Sequence, residues 1–176
     1  MLMPNTRFLL RVSLLLAAIA FFPGARAATT SFDAGEAAYT SGDFDTAARH
    51  FLPLAEQGHV LAQYNLGLLY EEGQGVSQDF GKAREWYRRA ALQGNVDACF
   101  ALGQMSARGV GEARDLVQAH FWFELANRAP HSHRLAAEAR SKVAKQMSPA
   151  EIEAARKLLQ GWSAPSSGVL TGALQP

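Results

Sequence analysis

One stretch of this chain recurs thirty-six residues further along, and that period limits the fold more than any single residue does. Ala62, Leu66 and Gly67 return as Ala98, Leu102 and Gly103. The offset holds through Gly73 and Gly109, Gly75 and Gly111, Asp79 and Asp115, Ala83 and Ala119, Trp86 and Trp122, and Ala90 and Ala126. A fixed period of this size marks a stacked array of small helical units, each burying its apolar face against its neighbours. Such arrays present a surface to a partner more often than they perform chemistry.

Within one unit the spacing is helical. Ala62, Leu66, Leu69, Tyr70 and Gly73 fall on one face at 3.6-residue spacing. A second helix is expected over 79–93, with Ala83, Trp86, Tyr87 and Ala90 inward and Asp79 as its cap. Asp115 caps the equivalent helix of the next copy. Between the two helices Gly73 and Gly75 supply the positive φ that a tight connection requires. Gly67 and Gly103 omit a side chain where the second helix is expected to bring Trp86 or Trp122 close.

The flanking segments read as caps. Asp43, Phe44, Ala47, Phe51, Ala55 and Gly58 align with Asp79, Phe80, Ala83, Tyr87, Ala91 and Gly94, so a shorter copy precedes the first full repeat. Its first helix is expected over 32–40, joined by a tight turn at Ser41 and Gly42. After the second copy Pro130 stands where Gly94 would recur, followed by a helix expected over 132–147 with Leu135, Ala139 and Val143 on one stripe. Ser148, Pro149 and Glu151 then form a strong helix start, and Ile152, Ala155, Leu158 and Leu159 supply an apolar face. Terminal units with a polar outer side keep such arrays soluble. The Ser-, Gly- and Pro-rich composition of 163–176 implies a disordered tail.

Ala62, Leu66, Gly67, Tyr70, Gly73, Gly75, Val76, Asp79, Lys82, Ala83, Trp86, Tyr87, Ala90, Ala91 and Gly94 together resemble the signature of the Sel-1-like repeat family, a relative of the tetratricopeptide repeats. The second copy departs from it at Ser106, Glu112, Gln118, Phe123 and Pro130. The resemblance implies an all-α, right-handed solenoid of helix-turn-helix repeats. It implies an adaptor or scaffold role and no catalytic residues. The organisation expected is a signal peptide over 1–27 and a repeat domain over 28–162. Within the domain fall a capping repeat at 32–61, repeats at 62–97 and 98–130, and capping helices over 131–162.

The leader reading rests on three features. Arg7 and Arg11 precede an apolar run over 12–22, and Ala25-Arg26-Ala27 offers a small-x-small cleavage site. The run is short for a membrane span, which needs about 20 residues. The expected location is therefore the periplasm or the medium, with an inner-membrane anchor through an uncleaved leader as the alternative. Arg7, Arg11 and Arg26 are three of the 17 basic residues, so cleavage after Ala27 leaves 14 against 16 acidic ones, a net charge of −2. A near-neutral domain offers no electrostatic case for binding nucleic acid.

Chemistry is sparse. Cys99 is the only cysteine, so no intramolecular disulfide forms, and a buried apolar role suits it better than a reactive one. His131 and His133 lack the further ligands a metal site needs. His50, His59 and His120 are isolated, and His50, aligned with Trp86, is expected on a packed face. Glu71 and Glu72 are adjacent on a helix and do not face each other. Gly73-Gln-Gly75 lacks the strand and the Lys-Ser/Thr of a phosphate loop. No catalytic residue, metal ligand or cofactor is expected.

The helical wheel points to a binding face instead. Opposite Ala62 and Leu66 lie Tyr64, Leu68 and Glu71, and in the next copy Phe100, Gln104 and Ala107. Tyr64, Leu68, Glu71, Phe100 and Gln104 are the candidate contact residues for a protein or peptide, with the two aromatics as anchors. Packing of Tyr64 and Phe100 between neighbouring repeats is the competing reading. The other functional classes are a peptidoglycan- or glycan-binding module, with sugars stacked on these rings, and a regulator docked on a periplasmic enzyme. The partner's identity and the oligomeric state stay open.

Overall fold

The structure, a computed structural model, describes residues 23–128 and 133–162, with side chains from residue 31 onward. Eight helices and no strand occur among the described residues. They are α1 (Pro23–Ser41), α2 (Phe44–Glu56), α3 (Val60–Glu72), α4 (Phe80–Leu92), α5 (Val96–Arg108), α6 (Leu116–Arg128), α7 (Ala136–Ala144) and α8 (Pro149–Gly161). From α1 to α7 each helix packs on the next, and α6 also meets α8. Three helix pairs thus stack in sequence, α1–α2, α3–α4 and α5–α6, and the last is covered by α7 and α8.

Local chemistry sets the ends of these helices. Asp79 accepts from the Lys82 backbone N–H at 2.9 Å, and Asp115 from that of Gln118 at 2.9 Å. Each thereby satisfies a donor that the first helical turn leaves orphaned. Asp43, His59 and Asn95 do the same for α2, α3 and α5. Helices α3 and α5 both stop at a left-handed glycine, Gly73 at φ 69° and Gly109 at φ 72°. Ser148 and Glu151 form a full capping box at the start of α8.

Within each pair, one glycine and one aromatic ring interlock. A Cβ on Gly67 would lie 2.6 Å from Cδ1 and Cε1 of Tyr87, and one on Gly103 would lie 2.6 Å from the same atoms of Phe123. Gly35 meets Phe51 in the same way, with Cε1 at 2.6 Å. This corrects the expectation that Trp86 and Trp122 approach these glycines. Adjacent helical positions point about 100° apart, so Tyr87 turns toward its own first helix and Trp86 toward the preceding pair. There Trp86 joins a core with Phe51, Leu54, Leu66 and Leu69. Trp122 packs near Phe121 and Trp162.

A second aromatic row lies one turn earlier on the first helices. Phe32, Tyr64 and Phe100 each set a ring against the interlocking aromatic of the partner helix. The centroid distances are 5.6 Å to Phe51, 5.7 Å to Tyr87 and 5.4 Å to Phe123. Two of the three are also covered by a histidine from the next connection, Phe32 by His59 at 4.5 Å and Phe100 by His133 at 3.7 Å.

Successive pairs are joined through the glycine loops. Gly75, at φ 66°, lies so close to the start of α2 that a Cβ would fall 2.2 Å from the Phe44 carbonyl. Gly111 repeats the contact on Phe80 one unit on, at 3.1 Å. Arg84 bridges the same junction, with Glu112 at 2.7 Å. At the other end, buried Glu124 of α6 takes hydrogen bonds from Arg128 and from Arg140 of α7.

Two helix spans differ from the sequence reading. Helix α1 begins at Pro23, not at residue 32, and so runs through the expected cleavage site at Ala27; cleavage there would shorten it to begin at Ala28. The helix expected over 132–147 is confined to Ala136–Ala144. Its N-terminus has no side-chain cap, and His133 instead folds back to accept from the Leu135 N–H at 3.2 Å. His50 is half-buried near Ser31 rather than fully packed. The expected leader core over 12–22, His131 and the 163–176 tail lie outside the described residues.

Candidate partner-binding face

The first helices α1, α3 and α5 belong to successive pairs of the stack, and residues equivalent about Gly35, Gly67 and Gly103 define rows of matching positions on them. Asp33, Asn65 and Ala101 make one row. Glu36, Leu68 and Gln104 make the next, and Thr40, Glu72 and Arg108 the one after. Asp33, Glu36, Glu72, Asp97, Gln104 and Arg108 are exposed. Leu61, in the first turn of α3, is exposed at 49% despite its apolar side chain.

The five candidate residues have different surroundings. Gln104 is exposed and Leu68 half-buried, with part of its side chain against the core. Tyr64 and Phe100 are half-buried in the aromatic rows described above, so both belong to the core within their own helix pairs, contrary to their expected place away from it. The covering of Phe100 by His133 of the following connection adds the neighbour packing of the competing reading. Glu71 accepts a 2.7 Å hydrogen bond from the Tyr87 hydroxyl, which ties it to the same interlock. The helical wheel finds the direction of these side chains but not the size of the second-helix ring that reaches them. The period-36 alignment of Tyr87 with Phe123 and Phe51 carried that signal.

The electrostatics of this side are acidic. Tyr64 is pushed up to about 12, first by burial and then by Asp97, Tyr39, Glu71 and Glu72 around it. Tyr39 is raised by burial and then by Glu72. Acidic groups from α3 and α5 and a tyrosine of α1 thus converge on the Tyr64 ring.

Cys99, Glu124 and the charged groups of one cleft are occupied. Cys99 is buried, and burial pushes its thiol up to about 12, far from a reactive thiolate. Burial tends to raise Glu124, but hydrogen bonds from Arg140 and Arg128 outweigh it and hold the carboxyl below its usual range. An open cleft of about 590 Å³ between the α5–α6 loop and α8 is lined by Glu112, Arg114, Asp115 and Glu151. Glu112 pairs with Arg84, and Asp115 and Glu151 cap helices. Arg114 donates to the Ala107 carbonyl and to Gln146. No group of three or more metal-ligating side chains occurs among the described residues, and no described helix is long and apolar enough to cross a membrane.

Residues 33–59, 60–95 and 96–131 each match the Sel1 repeat, together more than half of the chain. The chain belongs to the Sel1 repeat family. Sel1 repeat proteins generally mediate protein–protein interaction and are typically non-catalytic scaffolds. Among solved structures the chain is similar to c5321, described as a protective antigen of uropathogenic Escherichia coli strains displaying an SLR fold. The two are 26% identical with a TM-score of 0.67, over 84% of this chain and 35% of that one. A Sel1 repeat protein from Oxalobacter formigenes is 33% identical over 56% of this chain and 36% of its own, with a TM-score of 0.45. The chain therefore spans about a third of the length of both solved proteins. The search of curated proteins found no match.

Proposed function

We propose that this Sel1 repeat chain is an exported, non-catalytic adaptor that holds a protein or peptide partner on the side formed by α1, α3 and α5. The observation that carries the reading is the recurrence of outward side chains at equivalent positions on three consecutive first helices: Glu36, Leu68 and Gln104. A surface built from repeated rows suits an extended or helical segment lying across the stack. Export is supported by the charged start, the apolar run over 12–22 and the Ala25–Ala27 site.

The test is site-specific photo-crosslinking in the native envelope. A photoreactive residue replaces Gln104 or Glu36 on this side, and Glu85 on the exposed side of α4 serves as the control. A specific protein adduct from the first two positions and none from the third is the expected result. Adducts only from Glu85, or none at any position with the fold intact by circular dichroism, would refute the reading. Release of a mature chain beginning at Ala28 tests the export step in the same cells.

A further inference from the structure

Charge is divided unequally between the first helices and α4, whereas the second helices α2 (Asp45 and Glu56 against Arg49) and α6 (Glu124 against Arg128) are net acidic or balanced. Within 31–41 and 60–72 the first helices carry Asp33, Glu36, Glu71 and Glu72 and no lysine or arginine. Helix α5 adds Asp97 and carries only Arg108 at its end. Helix α4 alone carries Lys82, Arg84, Arg88 and Arg89. The ion pairs found among the described residues fall on the second helices, the connections and the C-terminal cap: Lys82–Asp79, Arg84–Glu112, Arg89–Glu85, Arg156–Glu153, and Glu124 with Arg128 and Arg140. Glu36, Glu72 and Asp97 enter none of them and are exposed.

These acids do not stand alone. They flank an apolar and aromatic strip in which Leu68, Tyr39 and Tyr64 are each half-buried, leaving part of each side chain open to solvent. Glu72 of α3 and Asp97 of α5, from two successive repeats, both lie within electrostatic reach of Tyr64, and Glu36 holds on α1 the position that Leu68 holds on α3. A face of this kind meets two needs of one ligand. Its rings and leucine cover the apolar portion of a side chain, and its carboxylates meet a cationic head. Lysine and arginine have that construction, a long apolar stem with a charged tip. Charge complementarity also selects against acidic segments, for which this face is repulsive.

Resting on the adaptor reading, we infer that the α1–α3–α5 face takes a basic segment of a protein partner, with lysine or arginine side chains interspersed among apolar ones. Glu36, Glu72 and Asp97 meet the cationic groups. Leu68, Tyr39 and Tyr64 meet the stems and apolar side chains.

The experiment is an unbiased selection of random twelve-residue peptides on the immobilised full mature chain, followed by fluorescence anisotropy with the peptides selected. Enrichment of lysine and arginine among them is the expected result, together with affinity that falls as salt is raised. The E36Q/E72Q/D97N variant should bind roughly ten- to a hundredfold more weakly, as for the loss of three partly screened charge contacts. Its circular dichroism and melting temperature should match the parent, since none of the three residues is buried. An E85Q variant on the other side should bind as the parent does. Selected peptides with no basic enrichment, or equal affinity for the triple variant, would overturn the basic-segment inference and leave the adaptor reading standing. Failure to select any peptide, combined with absence of crosslinks from Gln104 and Glu36, would overturn both.

Discussion

Replacing Gly67 with alanine puts the interlock between paired helices to a direct test. The new methyl carbon would lie 2.6 Å from two ring carbons of Tyr87. Ordinary carbon contacts lie near 3.5–4.0 Å, so ring or helix must retreat by about 1 Å. The ring has little room for it. Tyr87 is fully buried, its hydroxyl is fixed on Glu71 at 2.7 Å, and Tyr64 lies against it at 5.7 Å. Overpacking of this kind costs about 1–3 kcal/mol. Alanine in a helix interior recovers about 1 kcal/mol of propensity over glycine, so the net loss expected is up to about 2 kcal/mol. The propensity gain hides part of the clash, and a double-mutant cycle with Tyr87→Leu separates the two. The branched tip of leucine can rotate away from α3 where a planar ring cannot. In that background Gly67→Ala should be neutral or stabilising, giving a coupling energy of about 1–3 kcal/mol. Gly161→Ala, with open space around the glycine, provides a second control and should not destabilise. Urea denaturation followed by circular dichroism gives all five values. Equal effects of Gly67→Ala in the two backgrounds would refute the interlock.

Three further predictions follow from other parts of the fold. Gly75→Ala should lower the melting temperature more than Gly94→Ala: both glycines have positive φ, but only the first would drive a Cβ into a backbone, at 2.2 Å from Phe44. Glu124→Gln should cost about 1–3 kcal/mol near neutral pH, because the charge-assisted hydrogen bonds to Arg128 and Arg140 are lost. Since the folded carboxyl titrates below its unfolded value, that contribution is present above the unfolded value and disappears as the pH falls through the folded one. Chemical denaturation at pH 7 and in acid should therefore show the difference between variant and parent shrinking toward acid. Cys99 should resist a thiol-specific reagent in the folded protein and react promptly in urea, as its burial requires; prompt reaction in the native state would contradict the packing of α5.

The repeat period made the helix pairs, their glycine loops and their aspartate caps legible in the sequence, because each rests on local chemistry copied at a fixed offset. Asp79 and Asp115 cap as their type and spacing require. The identity of the ring facing Gly67 was less accessible. Trp86 and Tyr87 are neighbours, both large and both buried, and only their angle about the helix decides which meets the glycine. The same limit applied to Tyr64 and Phe100. The wheel places them opposite Leu66 but cannot say how far the second helix wraps around to cover them. The short span of α7 reflects a local contest, in which His133 satisfies a backbone donor just where the helical pattern would begin. The charge division between the first helices and α4 was written in the sequence throughout. It gained meaning only when the ion pairs were seen to gather on α4, α6, the connections and the C-terminal cap, with Glu36, Glu72 and Asp97 of the first helices outside them.

In the proposed adaptor the aromatic interlocks hold the inner rings, and the outer rows of α1, α3 and α5 with the open part of Tyr64 are left for a partner. Amide chemical-shift mapping of the mature chain, titrated with the partner captured by crosslinking, tests it most directly. Perturbations clustered at Glu36, Leu68, Glu72, Asp97 and Gln104, with the exposed side of α4 unchanged around Glu85 and Arg89, are the predicted result. Perturbations centred on α4 or on the cleft beside Arg114, with those five amides unmoved, would contradict it.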